Sequence, residues 1–358
     1  MTNRPVHQLV HTLSYGDAIS TEVMALRDCF REFGVASDIY SINTHPRLKG
    51  QALDYREFPK DFDGRVLLHY SLGSPLNDLY RSLNKAERTL IYHNLTPPEW
   101  FERVNPRVVA DIKRGITELP ELCRLSQRIL ADSAFNAGEL TRYGVRAEVL
   151  ELCVSPTRWN VETNHGIRSL MAARGGIHVL HVGRLAPNKC IEDIIKSFFY
   201  LHHYVEPKST LWLSGIDIDT ELYSFALKRL VRELLLEDAV HFLGLMADEE
   251  LRALYEGASA YLCMSEHEGF CLPVIEAMSF GLPVIAYASS AVVDTVGSGG
   301  ILVREKRHPE IAELMYEVAT NTELRTKLQI AGRRRVENLS YQHFQARVGE
   351  LYDLHHRA

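Results

Sequence analysis

Ser265-Glu266-His267-Glu268-Gly269-Phe270-Cys271-Leu272-Pro273-Val274-Ile275-Glu276-Ala277-Met278 follows the short apolar run Tyr261 to Met264. The run reads as a buried strand and the glycine-containing segment as a loop. Leu272 onward reads as a helix, because Pro273 suits a first helical turn where its missing N–H has no partner. Gly281 and Pro283 punctuate the far end before the next strand, Val284 to Tyr287. Strand, loop, helix and strand in this order make one unit of a parallel sheet. The free N–H groups and positive dipole end of the helix face whatever lies beyond the strand ends, a place suited to phosphate oxygens. Glu276 is expected in the first helical turn, where a carboxylate can accept hydrogen bonds from two adjacent hydroxyls such as those of a ribose. A carboxylate there also complements the helix dipole. Glu268 stands before the helix, with seven residues between the two acids.

The same alternation runs outward in both directions. Upstream, strands fit His178 to Val182, Leu211 to Ser214 and Val240 to Leu243, and downstream Ile301 to Val303. Helices fit Ile191 to Tyr204, Glu221 to Leu236, and Asp248 to Glu256, with Asp248 as N-cap. The first half has its own series: Val6 to Val10, Ile39 to Ile42, Val66 to Tyr70, Leu90 to His93, Ile129 to Asp132 and Ala147 to Leu150. Ile19, Val23, Leu26 and Phe30 recur at helical spacing after the first strand, and Gly34 ends that helix. A polar stretch from about Ser155 to Gly176 separates the halves. The expected organisation is a first α/β domain over 1–165, a second over 166–340, and a terminal helix over 341–358 that packs back on the first. A chain of 358 residues suits two cores.

Composition excludes several classes. A formal charge of −6 argues against a protein that coats nucleic acid, so phosphate contacts must be few and placed. The six cysteines are scattered singly, with no C-x-x-C pair, and read as reduced thiols. Met1 to Val10 lacks the apolar stretch of a signal peptide, and no uncharged apolar run approaches ~18 residues. The expected location is cytoplasmic, with Arg103, Arg107, Lys113 and Arg114 available for peripheral contact at the inner face of a membrane. Asp217-Ile218-Asp219 has the look of a metal-binding D-x-D, but it stands between a strand and a helical run, where Asp219 or Thr220 serves as N-cap. The pairs His202-His203 and His355-His356 are adjacent rather than at helix-face spacing, so no metal site is expected.

A second segment carries chemistry. His181-Val182-Gly183-Arg184-Leu185-Ala186-Pro187-Asn188-Lys189 runs from a strand into a loop and a helix. Gly183 lets backbone pass close to a ligand. Arg184 and Lys189, five apart, can converge on one diphosphate and stabilise it as negative charge develops. In the first half, Tyr15-Gly16-Asp17-Ala18 joins strand to helix, where Gly16 also suits a turn and Asp17 an N-cap. Tyr92-His93-Asn94 puts a histidine at a strand end, on the ligand side of a parallel sheet.

Glu268 to Met278, E-G-F-C-L-P-V-I-E-A-M, resembles the E-x7-E signature of the family 4 glycosyltransferases, which usually reads E-G-F-G-L-P. Cys271 stands in place of the middle glycine. Gly183-Arg184-Leu185 followed by Lys189 resembles the family's second motif, with Cys190 where glycine is usual. The resemblance covers Val179 to Val303 strongly and the first half in scattered places. It implies an α/β fold of two Rossmann-like doubly wound domains facing across a cleft, the GT-B architecture. It also implies a retaining transfer of a hexose from GDP-mannose or a UDP-sugar to a hydroxyl of a glycan or lipid-linked acceptor, in polysaccharide or lipopolysaccharide assembly. No cofactor and no obligatory metal are implied beyond the nucleotide-sugar co-substrate. By the same resemblance, Glu268 and His93 contact the donor sugar and Glu276 holds the ribose hydroxyls. The N–H groups of Gly269, Phe270, Cys271 and Leu272 meet the sugar or diphosphate, Arg184 and Lys189 receive the departing diphosphate, and the Gly16-Asp17 loop lies near the donor phosphates. An epimerase or hydrolase of related fold, or a nucleotide-sugar binder without turnover, is the alternative.

Overall fold

The computed structural model describes residues 4–154 and 158–354. Of the linker expected from about Ser155, residues Ser155 and Pro156 lie outside the described residues, as do Met1 and the pair His355-His356. The chain divides into two compact units. The first comprises Met1–Pro98, Arg107–Ser155 and Leu339–Ala358, and the second Glu99–Pro106 and Pro156–Asn338. The division thus falls at 155/156 rather than 165/166, and Glu99–Pro106 groups with the second unit.

The first unit starts with strand β1 (Val6–Leu13), helix α1 (Ala18–Glu32), β2 (Ile39–Thr44), β3 (Leu53–Asp54), β4 (Arg65–Tyr70) and α2 (Pro75–Ser82). It continues with β5 (Glu87–Tyr92), α3 (Pro106–Leu125), β6 (Arg128–Ala131), α4 (Ala134–Leu140) and β7 (Glu148–Val149). The strands are parallel in the order β3-β2-β1-β4-β5-β6-β7. Val66, Leu67, Leu68 and Tyr70 of β4 are all buried, so apolar residues cover both faces of the strand, as crossover helices require. Order reverses between β1 and β4, the place where doubly wound sheets hold ligands beyond their strand ends.

The second unit contains α5 (His165–Arg174), β8 (His178–Val182), α6 (Ile191–Tyr200), β9 (Thr210–Ser214), α7 (Glu221–Glu233), β10 (Val240–Gly244) and α8 (Asp248–Gly257). After these come β11 (Ala260–Cys263), α9 (Leu272–Ser279), β12 (Val284–Tyr287), α10 (Val292–Val296), β13 (Ile301–Val303), α11 (His308–Thr320) and α12 (Thr322–Asn338). Its parallel order is β10-β9-β8-β11-β12-β13. The reversal lies between β8 and β11, so the loops after these two strands flank the switch point. Ile194, Ile195 and Phe198 of α6 meet Val179, Leu211 and Leu262 of the sheet in one core with Met315 of α11. A last helix, α13 (Tyr341–Tyr352), is capped by Ser340 and buries Phe344, Val348, Leu351 and Tyr352 among Leu26 and Phe30 of α1, in the first unit's core. No helix of the described residues is long and apolar enough to cross a membrane.

Several elements end sooner than expected. The strands stop at Tyr92, Ala131 and Cys263, one residue before His93, Asp132 and Met264, and β7 is a two-residue edge. Leu235 adopts φ 55°, which closes α7 short of Leu236, and α6 loosens into a π turn over Leu201–Val205. Asp248 is the first residue of α8 rather than its cap. The capping position is Ala247, whose N–H donates to Glu250 at 2.9 Å. Thr220 holds the N-cap position of α7, as expected, but its hydroxyl donates to the Asp217 carbonyl at 3.1 Å and makes no cap bond to the helix.

Gly215 follows β9, and a Cβ there would sit 1.8 Å from the carbonyl oxygen of Gly183. That contact is between backbones, so no side chain can yield. Gly215→Ala is expected to cost about 1–3 kcal/mol and lower the melting temperature by several degrees, as overpacking does. An unchanged melting curve would show that the two loops are free to part.

Candidate active site

Two loops of the second unit meet at the C-terminal ends of β8 and β11. The first leaves β8 through Gly183, at φ 153°, and makes a turn over Pro187–Lys189 before α6. Asn188 fastens it to the second loop: its Nδ2 donates to the His267 carbonyl at 2.9 Å, and its own carbonyl accepts from the Glu266 N–H at 2.9 Å. Lys189 completes the join, with Nζ 2.6 Å from both carboxylate oxygens of Glu268. The pair is largely buried, Lys189 at 21% and Glu268 at 7% side-chain exposure. Burial pulls the ammonium pKa down, but the charge and hydrogen bonds of Glu268 together with the Cys271 and Cys263 thiols outweigh it and the net shift is upward, so the lysine stays charged. Arg184 follows Gly183 on the first loop. Its guanidinium donates to the Ile218 carbonyl at 2.8 Å.

The second loop is held from behind by the segment after β12. Ser290 Oγ accepts from the Glu268 N–H at 2.8 Å, Ser289 donates to the Ser265 carbonyl at 2.6 Å, and Thr295 donates to the Phe270 carbonyl. The N–H groups of Gly269, Phe270, Cys271 and Leu272 make no hydrogen bond among the described residues. Cys271, the N-cap residue of α9, has φ 73° and ψ 58°, and Cys190 ahead of α6 has φ 47° and ψ 51°. Both cysteines therefore hold left-handed backbone, the conformation glycine takes at lowest cost, at the two positions where the resemblance has glycine. The Cys263 and Cys271 thiols touch at 3.8 Å, and all six cysteines are free and buried.

Glu276 is not in the first turn of α9. The helix starts at Leu272, and its first turn holds no acid. One turn further in, Glu276 is buried and enclosed: Tyr255 Oη donates to Oε2 at 3.0 Å and Arg158 Nη1 donates to Oε1. Arg158 also donates from Nε to Asp248 at 3.0 Å and lies 4.5 Å over the Trp159 ring. Trp159 packs edge-on against Tyr255 and Phe280, which stack on each other at 5.2 Å. Burial raises the Glu276 pKa against the pull of Arg158. Sequence reading missed both Arg158 and Tyr255. Arg158 sits in a polar segment without pattern, and Tyr255 reads as one more apolar position of an amphipathic helix.

Gly16, Asp17 and His93 belong to the first unit. Gly16 takes φ 77°, as a turn glycine does, and Asp17 caps α1 by accepting from Ser20 N–H and Oγ, both at 3.0 Å. His93 follows β5, but its ring is turned inward. Nε2 lies 2.9 Å from His69 Nδ1, and Nδ1 faces the carboxylates of Glu22 at 3.4 Å and Asp132 at 3.5 Å.

Three groups of ligand atoms lie close together: Glu22 with His69 and His93, Cys263 with Glu268 and Cys271, and Cys190 with Asp193 and Glu266; in the first, both His69 ring nitrogens are already hydrogen-bonded, to Gln8 and to His93, and offer an ion nothing. In the second, Lys189 already neutralises Glu268, and in the third Lys306 bridges Asp193 and Glu266 at 2.8 and 2.7 Å. Asp217 and Asp219 are in none of these groups.

Residues 168–335 match the family model described as glycosyl transferases group 1. The O-antigen chain mannosyltransferase B of Escherichia coli is 30% identical over 125 residues, 35% of this chain and 32% of that protein. The chain spans about a third of the length of the first curated relatives it matches, between 31% and 32%. Among solved structures, sucrose-phosphate synthase from Thermosynechococcus elongatus superposes with a TM-score of 0.76 at 18% identity, covering 98% of both chains. Anabaena HepE in complex with UDP-glucose superposes at 0.74 and 18% identity, covering 98% of this chain and 99% of that one. The chain therefore has the GT-B fold, and its residues 168–335 are related to the glycosyl transferases of group 1.

Proposed function

We propose that the chain is a retaining glycosyltransferase that moves a hexose from a nucleotide diphosphate sugar to a hydroxyl of a glycan or lipid-linked acceptor. The observation that carries this reading is the Lys189–Glu268 join at the β8/β11 switch point, beside the N-terminus of α9 and its undonated N–H groups. Three consequences follow from that arrangement. The Lys189 ammonium spends two donors on Glu268 and keeps a third for a phosphate oxygen. Arg184 donates to the neutral Ile218 carbonyl, and exchanging that bond for one to a diphosphate oxygen gives a stronger, charge-assisted bond. The carboxylate of Glu276 has about four lone-pair sites, and Tyr255 and Arg158 occupy two, so two ribose hydroxyls can bind without displacing either.

In the transfer step the glycosidic C–O bond to the diphosphate breaks and negative charge gathers on the leaving oxygen. Lys189, Arg184 and the N–H groups from Gly269 to Leu272 are the donors that meet this charge, in a site already organised before the substrate arrives. Glu268, fixed by Lys189, orients the sugar hydroxyls. The acceptor hydroxyl bonds to the anomeric carbon and gives up its proton, for which the leaving phosphate oxygen is the base. A mannosyltransferase of an O-antigen chain among the relatives and a UDP-glucose complex among the similar structures support GDP-mannose and UDP-glucose as the first donors to test, and polysaccharide or lipopolysaccharide assembly as the setting.

Thermal-shift measurements with GDP-mannose and UDP-glucose should identify a donor that raises the melting temperature, equivalent to about 2.7 kcal/mol at a hundredfold excess over Kd. Transfer of labelled sugar to a lipid-linked or glycan acceptor, with the anomeric configuration kept, is the expected product. Free sugar alone would indicate a hydrolase, altered stereochemistry at another carbon an epimerase, and tight binding with neither a binder.

Glu276→Ala should weaken donor binding by about 10- to 100-fold by calorimetry, the worth of hydrogen bonds to a charged group. Unchanged affinity would remove the ribose role. Lys189→Met should lower kcat by at least about 100-fold, as loss of a transition-state donor does. A loss confined to KM would reassign Lys189 to ground-state binding.

A further inference from the structure

The hydrogens of the buried chain Gln8, His69, His93 can be placed from one end. Gln8 Nε2 donates to the Val23 carbonyl at 3.0 Å, so its Oε1 is the atom 2.9 Å from His69 Nε2 and must accept. His69 therefore carries its proton on Nε2. Burial, reinforced by His93, holds its pKa well below the usual histidine range, so the ring is neutral and Nδ1 is a lone pair. That lone pair accepts from His93 Nε2 at 2.9 Å. His93 is thereby committed to Nε2–H, and its Nδ1 is left facing Glu22 Oε2 at 3.4 Å and Asp132 Oδ2 at 3.5 Å.

A bare Nδ1 lone pair aimed at two carboxylates is untenable in this pocket. The side chains of His93, Glu22 and Asp132 are 1%, 0% and 5% exposed. Asp132 has compensation, because Asn136 Nδ2 donates to its Oδ1. Glu22 has none: both its oxygens are buried without a hydrogen-bond partner. A buried carboxylate without a hydrogen-bond partner from the protein favours its protonated form.

We propose that Glu22 and His93 hold a dissociable proton between them at neutral pH, with Asp132 as the second carboxylate beside it. Glu22 is thus a positioning residue. It acts through His93, seats α1 against the end of β5, and keeps the His93 ring turned into the fold. The ionisable groups facing the pair are His69 from β4, Asp132 after β6, Asp17 at the start of α1 and Cys153 after β7.

The linkage has a definite sign. Burial raises the Glu22 carboxyl from 4.5 to about 7, against the pull of His93. His93 is also raised, because Glu22 and Asp132 outweigh its own burial. The folded state therefore keeps protons that the unfolded chain releases, and this stability is present at low pH and lost as pH rises from 4.5 through about 7. Glu22→Gln preserves the shape, removes the ionisation and can donate an amide hydrogen to His93 Nδ1.

Melting temperatures of the full chain and of Glu22→Gln, taken from pH 5 to pH 8, read this directly. The native chain should lose on the order of 2–4 °C relative to the variant across that range. Histidine-selective nitrogen NMR of the native chain, with His93 assigned through bonds, tests the pocket without any substitution. The His93 Nδ1 resonance should shift between pH 6 and pH 8 in the native chain and stay fixed in Glu22→Gln. Parallel melting curves, or a native His93 that remains one neutral tautomer throughout, would overturn the proposal. Neither readout uses transfer activity, so failure here is distinct from failure of the transferase reading.

Discussion

A carboxylate taken out of water must be held by a cation or give up its charge, and the second unit takes two of them out of water within one loop and helix. Glu268 is held by Lys189 and Glu276 by Arg158. Each pair crosses a long interval of sequence, so each also fixes a piece of backbone. Lys189–Glu268 ties the loop after β8 to the loop after β11, and Arg158–Glu276 ties the segment before α5 to α9. Removing one partner of such a pair leaves the other buried and uncompensated, typically at about 3–5 kcal/mol, which is why the geometry is stiff before any ligand enters. The same stiffness suits a site that must meet charge developing on a leaving group without rearranging.

The first unit handles buried charge in another way. Glu22 has no cationic side chain of Lys or Arg on its oxygens, only a histidine whose other nitrogen is committed to a neutral neighbour. There the compensation is a proton. The second unit therefore compensates its buried carboxylates with Lys189 and Arg158, and the first, on the proposal above, with a histidine and a proton. The resemblance gives His93 a sugar contact, and in the fold both of its ring nitrogens face protein atoms.

The parts of the fold legible in the sequence were those with local causes. Runs such as Val66 to Tyr70 and Val179 to Val182 are apolar because crossover helices cover both sheet faces, and they announce themselves as strands. The edges β3 and β7 pair over two residues each and carry no such run. Asp248 looked like a cap because its residue type favours one, but Glu250 reaches back to the Ala247 N–H and fixes the helix start one residue earlier. At the site, the motif residues were readable while their partners were not. Tyr255 and Arg158 reach Glu276, and His69 and Glu22 reach His93, only through the folded sheet. Cys190 and Cys271 are the reverse case, where the chain keeps a left-handed turn that its residue type disfavours.

The central claim is that the N-terminus of α9, with Lys189 and Glu276, grips a nucleotide diphosphate. A crystal structure of the chain with UDP-glucose or GDP-mannose tests it most directly. The account predicts the diphosphate within hydrogen-bonding distance of Lys189 Nζ and the N–H groups between Gly269 and Leu272, with the ribose hydroxyls on Glu276. A nucleotide bound elsewhere, with the Lys189–Glu268 and Arg158–Glu276 pairs untouched and no ligand beside them, would contradict it.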